Sequence, residues 1–254
     1  CEISWEDAEA TPTFLKTLFR GTYLDVAIVE RLRRAKGIPL GNYWKSDLRL
    51  AHGQGYQLGG DESVPQDASH LAQLPELTTS YNGLPLVTSQ SLPDRFTHTH
   101  AAFPREREIY VAPLVMVKQS PGADRDNGRA LLAWEDVAYN ESFYGFSTAG
   151  HPSAELLARY LLLVMNSNLV LYWALMTSSK FGVERRVFQK TDIEQFPLRP
   201  FESLSEADHE TISDLSERLI RGDRPWDAID AWLVGVYGLS RPRSEEHTSE
   251  LQSP

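Results

Sequence analysis

"EIYVAPLVMVK" (residues 108–118) and "RALLAWEDVAYNESFYGFS" (129–147) decide the fold of this chain. Both are rich in β-branched and aromatic residues and read as strands. "GADRDNG" (122–128) supplies turn chemistry between them. Upstream, from 37 to about 104, Gly and Pro punctuate short segments such as "GIPLGNYW", "GQGYQLGG" and "NGLPLV" without helical period. That texture predicts short strands and loops.

Helical patterning appears on either side. In "PTFLKTLFRGTYLDVAIVERLRRAK" (12–36), Phe14, Leu15, Leu18, Phe19, Leu24, Ile28 and Leu32 recur at helical steps. Pro12 suits the first turn, Gly37 suits the stop, and Gly21 divides the run into two pieces. A long apolar face returns over 153–177. Its core, "LLARYLLLVMNSNLVLYWALM" (156–176), is interrupted by Arg159 and by Asn166-Ser167-Asn168. It falls short of the roughly 18 uninterrupted apolar residues of a membrane span, so it reads as a buried helix. Two further helices follow: 205–222, capped by Ser205 and stopped by Gly222, and 225–238, opened by Pro225 and ended by Gly238. The fold class is therefore α+β, a β-rich central domain flanked by an N-terminal helix and C-terminal helices. The segments are 1–36, 37–200, 201–242 and 243–254.

At 254 residues, 41% hydrophobic and 24% charged, the composition is that of a soluble globular chain. A net charge of −10 argues against a surface that tracks nucleic acid everywhere, yet leaves room for a local basic face. Cys1 is the single cysteine, so there is neither a disulfide framework nor a thiolate metal site, and a cytoplasmic setting fits. No charged start leads into an apolar run as in a signal peptide. The first residue is Cys rather than Met, so the chain reads as a fragment. "RSEEHTSELQSP" (243–254) can be spelled by codons resembling the adapter ligated to DNA ends for short-read sequencing. It is read as translated adapter. Without its one Arg and three Glu, the charge becomes −10 + 2 = −8.

Several motifs dissolve on inspection. In "AHGQGYQLGG" (51–60), Gly53 and Gly55 begin a dinucleotide fingerprint, but Leu58 stands where its third glycine belongs. Asp124, Asp126 and Glu135 mimic a calcium loop whose turn glycine falls one place early, at Gly128. His98 and His100 lack a third metal ligand nearby. No nucleophile elbow, Walker loop or zinc helix occurs, so the chain carries no catalytic constellation of its own.

"TSSKFGVERRVFQKTDIEQFPL" (177–198) is different. It crowds Lys180, Arg185, Arg186 and Lys190 among aromatics. "RRVFQK" alternates as a strand would, placing Arg186, Phe188 and Lys190 on one face. Thr191 and Glu194 complete a capping-box pattern before Pro197. Basic and amide side chains on a short rigid element suit phosphate and base-edge contact; the competing reading is a surface ion pair of Arg185 or Arg186 with Glu184 or Asp192. The charge balance leans the same way: 177–200 hold five basic and three acidic side chains, 201–242 four and nine.

The run 161–198 resembles the C-terminal specificity region of adenine-specific DNA methyltransferases, including the fused methylase–specificity chains of restriction–modification and phage-defence systems. The counterparts are Asn166-Ser167, the serine-rich turn Thr177-Ser178-Ser179, the basic stretch Arg185 to Lys190, and the exit Ile193 to Pro197. "LKTLFRGTYLDVAIVERL" (15–32) resembles the family's helical lead-in from its catalytic domain. The two strand stretches resemble the recognition domain, and "AWLVGVYGLS" (231–240) a later helix. The family's N-P-P-Y loop is absent, as is a glycine-rich cofactor motif. The resemblance therefore implies the DNA-reading piece of an enzyme. Its S-adenosylmethionine and its catalysis would belong to an upstream methyltransferase domain of the same chain, with 1–36 as connector. Double-stranded DNA is the implied partner, and no membrane is. Lys180, Arg185, Arg186 and Lys190 are the candidates for phosphate positioning. Gln189, Gln54 and Tyr56 are those for base reading, and Arg105 and Arg107 form a second basic spot. The alternatives are a specificity segment fused to a restriction endonuclease, or a non-enzymatic protein-interaction module docking through its helices.

Overall fold

The computed structural model describes residues 13–59, 64–121, 128–182 and 187–239. Helices α1 (Phe14–Arg20) and α2 (Tyr23–Arg34) break at Gly21, as the sequence predicts. The chain then forms β1 (Ile38–Pro39), followed by a helical turn that widens into a π-turn over Tyr43–Asp47 and buries Tyr43 and Trp44. Seven of the strands that follow are short: β2 (His52–Gln54), β3 (Gln66–Asp67), β4 (Glu76–Leu77), β5 (Leu86–Val87), β6 (His100–Ala101), β8 (Ala130–Ala133) and β9 (Ala138–Tyr139). The two longer ones are β7 (Leu114–Lys118) and β10 (Phe143–Ser147). Helices α3 (Ala154–Asn166), α4 (Asn168–Thr177) and α5 (Lys190–Glu194) come next, then β11 (Pro197–Leu198), α6 (Glu206–Ile220) and α7 (Trp226–Val236). The α+β class, with a β-rich centre between helices, is what the structure shows.

The organising element is a five-stranded sheet in the order β2-β10-β7-β8-β5, antiparallel except for the β5–β8 pair. Its three central strands, β7, β8 and β10, are buried on both faces, which is why they read as continuous apolar runs instead of alternating ones. Val115, Val117, Ala130, Leu132, Tyr144 and Phe146 face a core shared with α3, α4, α6 and α7. The residues in between, Leu114, Met116, Leu131, Ala133 and Phe143, face a second core of short strands and loops around Tyr139. The pleat thus sorts one strand sequence into two cores. Gly145 allows this crossing of layers, because a Cβ there would lie 2.1 Å from the Tyr139 hydroxyl.

Four local expectations are corrected. Residues 107–110 form a 3-10 turn, and the strand begins only at Leu114, since Pro113 has no N–H to give a ladder. The apolar run over 153–177 is two helices bent by 57°. Ser167 makes the bend: it is extended, its hydroxyl donates to Val164 O (2.6 Å), and its Oγ caps the Val170 N–H. No single helix among the described residues is long and apolar enough to cross a membrane, and the bent pair is largely core. The cap of α5 is formed by Asp192, whose carboxylate accepts the Gln189 N–H at 2.8 Å; Thr191 lies inside the helix instead of opening it. Finally, Phe188 and Lys190 do not share a strand face. Phe188 is buried against Phe181, and Lys190 begins α5 with an exposed side chain.

The first two helices bury only part of the stripe the spacing suggested. Phe14, Thr17, Val29 and Leu32 are buried, whereas Leu15, Phe19 and Leu24 are exposed. Polar anchoring accounts for this. The last carbonyls of α4 have no partner within their own helix. Lys16 Nζ donates to Thr177 O (2.9 Å), Thr17 Oγ1 to Met176 O (3.2 Å), and Arg20 to Leu175 O. Helix α1 is therefore seated as the C-terminal cap of α4, with two cations against the negative end of its dipole.

Candidate nucleic-acid interface

The sheet ends, on its β2 edge, in an open cleft of about 440 Å³. His52, Gly53 and Gln54 line it from β2, Gln66 from β3, Phe103 to Glu106 and Ile109 from the loop between β6 and β7, and Lys190 from α5. Three residues chosen from the sequence for DNA contact, Gln54, Arg105 and Lys190, meet here from distant parts of the chain.

Gln54 pairs with Tyr144 across the β2–β10 ladder, and its amide nitrogen donates to Glu141 O at 2.9 Å. An amide with one bond made keeps further donor and acceptor capacity. Gln66 is exposed beside it. Arg105 is half-buried with φ +65°, a left-handed conformation in a residue with a Cβ. Such a position costs roughly 1–3 kcal/mol and persists only where the surroundings impose it. Its Nε donates to Gly55 O (3.4 Å), and its guanidinium lies 5.2 Å from the centre of the Phe103 ring. That stack aligns a rigid, planar donor set with an aromatic face.

Two of the lining residues, His52 and Lys190, belong to a carboxylate-centred cluster behind the cleft. Glu194 Oε1 receives the Tyr144 hydroxyl (2.6 Å) and stands 3.3 Å from His52 Nε2 and 3.7 Å from Lys190 Nζ. His52 stacks on Phe146 and is almost enclosed. Burial holds its pKa below the ordinary 6.5 and the Lys190 charge acts in the same sense, while Glu194 opposes both. Burial, with the Glu194 bond second, holds the Tyr144 hydroxyl protonated far above its usual range. Lys190 is the exposed member, so it can turn from Glu194 toward a phosphate.

The remaining candidates disperse. Tyr56 is 2% exposed and its hydroxyl is bound to Glu76, so its ring belongs to the second core and reads nothing. Arg107 pairs with Asp136 at 3.5 Å and does not line the cleft. Lys180 is exposed after α4, with its N–H on Ser178 Oγ at 3.2 Å. Gln189 is half-buried at the start of α5. Arg185 and Arg186 lie outside the described residues, as does most of the turn at 122–128. Gly53 and Gly55 are strand-edge residues: a Cβ on Gly55 would lie 2.0 Å from Tyr139 O, so the glycine serves packing of the two cores. Sequence reasoning missed His52, Gln66, Phe103 and Glu194, since only the pairing of β2 with β10 and the placement of α5 bring them together.

No protein-family model and no curated protein matches this sequence. Among solved structures, the chain is similar to the crystal structure of an HsdS subunit from Thermoanaerobacter tengcongensis. The likeness is 12% in identity, with a TM-score of 0.34, and covers 88% of this chain and 52% of that one. This chain thus spans about half of that subunit's length, and a likeness at that score bears no weight for function.

Proposed function

We propose that this chain is a DNA target-recognition module that presents the β2-edge cleft to double-stranded DNA. The observation that carries the reading is the convergence of Gln54, Arg105 and Lys190, with Gln66 and the exposed Phe103, in that one cleft. Amides and a planar guanidinium are the side chains that pair bidentately with base edges, and a mobile lysine suits a phosphate. In the finer reading, the module belongs to a site-specific adenine methyltransferase or to a specificity segment fused to a restriction endonuclease. It holds the duplex while an upstream domain of the same chain extrudes and methylates adenine. In that reading S-adenosylmethionine is held by the upstream domain, as the resemblance implies.

Fluorescence anisotropy with a panel of duplexes tests the proposal. Lys190→Ala should weaken all duplexes alike and reduce the slope of log affinity against log salt by about one. Gln54→Ala should leave that slope alone and narrow the gap between preferred and other sequences by about 1–3 kcal/mol. Absence of binding at low salt by the longer chain carrying its upstream domain, or equal weakening on every duplex by Gln54→Ala, would refute it.

A further inference from the structure

A second cleft, of about 580 Å³, opens on the other side of α5, between α1, the end of α4 and Pro197. Lys16, Arg33, Trp173, Ser179, Thr191 and Asp192 are among its walls. Three of its features are unlike an ordinary surface groove. Trp173 is 4% exposed, and its indole N–H is buried without a hydrogen-bond partner among the described residues. A donor left so costs stability unless something accepts from it. Lys16 has no carboxylate within ion-pairing distance among the described residues; its one acceptor is the carbonyl of Thr177. Arg33 lies over the Trp173 ring at 5.6 Å and shares its charge with Glu30 at 3.4 Å. The one carboxylate in the wall, Asp192, accepts the Gln189 N–H and acts on Lys16 only from beyond ion-pairing distance.

We propose that this cleft binds a single phosphate group, with the Lys16 ammonium and the Trp173 N–H as its principal donors and the Ser179 and Thr191 hydroxyls at its mouth. An oxyanion supplies what the cleft lacks: an acceptor for the buried indole and an anion in direct contact with Lys16, which Asp192 reaches only at longer range. Burial and the neighbouring Arg20 charge hold the Lys16 pKa below its ordinary value, with Asp192 opposing them more weakly, and a bound anion would act in the same sense as Asp192. The site is separate from the β2-edge cleft, because α5 lies between them, with Lys190 on one side and Thr191 and Asp192 on the other. It can therefore succeed or fail independently of the DNA-reading proposal.

The test is a titration of the full chain with inorganic phosphate, followed by the indole N–H signals in nitrogen-15 correlation spectra at constant ionic strength. The Trp173 signal is identified as the one missing from Trp173→Phe. It should move saturably with phosphate and stay still with chloride. Lys16→Gln should weaken the response by about ten-fold or more, the loss of one charge-assisted hydrogen bond. Arg33→Gln serves as the second variant if Lys16→Gln loosens the α1 contact. Gln54→Ala should leave the titration unchanged. A short duplex that moves the same signal marks the phosphate as part of a nucleic-acid backbone; a duplex that does not, while phosphate does, marks it as free. A Trp173 signal indifferent to tens of millimolar phosphate, or one that moves equally in both cationic variants and the parent, would overturn the assignment.

Discussion

Asn166→Ala should be among the most destabilising single changes in this chain, although the residue contacts no candidate site. Asn166 is 1% exposed and makes four hydrogen bonds. Its Oδ1 accepts from the backbone N–H groups of Arg129 (2.6 Å) and Ala130 (3.2 Å). Its Nδ2 donates to Ala130 O (3.0 Å) and Leu162 O (2.9 Å). One amide thus ties the last turn of α3 to the first residues of β8. Alanine leaves two buried N–H groups with no acceptor from this side chain, each costing about 1–3 kcal/mol, so the loss should be about 3–5 kcal/mol. That is a large share of the roughly 5–15 kcal/mol by which a native domain is stable. For a chain of this size it corresponds to a fall in Tm of about 6–20 °C. Urea unfolding followed by tryptophan fluorescence measures it, and an unchanged m-value shows that the folded state still closes. Asn166→Asp keeps the acceptors but turns both donor positions against carbonyls, so it should do no better than alanine. A loss below about 1 kcal/mol for Asn166→Ala would refute the claim that this amide locks the helix pair to the sheet.

Three other outcomes follow from particular contacts. Arg105→Gly should leave Tm unchanged or slightly raised in a thermal melt, because glycine accepts φ +65° without strain, while DNA affinity falls through loss of the guanidinium. Thr17→Val keeps shape but removes the donor to Met176 O, and should cost about 1–3 kcal/mol in chemical denaturation, with Thr17→Ser restoring most of it. The depressed His52 pKa gives a pH effect of definite sign: the unfolded chain binds its proton as pH falls through 6.5 and the native chain resists. Stability should therefore be complete above that pH and decline below it, and His52→Gln should flatten the decline measured by urea titrations between pH 7 and 5.

Much of the architecture was legible because it is written locally. The break at Gly21, the Ser205 cap whose hydroxyl accepts the Asp208 N–H, and the strands around Val115 and Tyr144 all depend on neighbours within a few residues. The doubly buried sheet, too, showed as apolar runs. The same reading missed the bend at Ser167, because a capping serine inside an apolar run looks like a solvated notch until the direction of the next helix is known. It matched Asn166-Ser167 to a motif of the resembling family without showing what the pair does, and in the fold Asn166 is a lock and Ser167 a corner.

For the candidate site the division is sharper. Composition and spacing determined that basic and amide side chains were available in an acidic chain, and that 177–198 concentrated them. Tertiary structure alone decided which could act together. It buried Tyr56, paired Arg107 with Asp136, and carried Gln54, Arg105 and Lys190 to one sheet edge. The reason is physical: a strand's neighbours along the sequence set its pleat and its burial, but its neighbours across the sheet are set by register, and register is a property of the assembled cores.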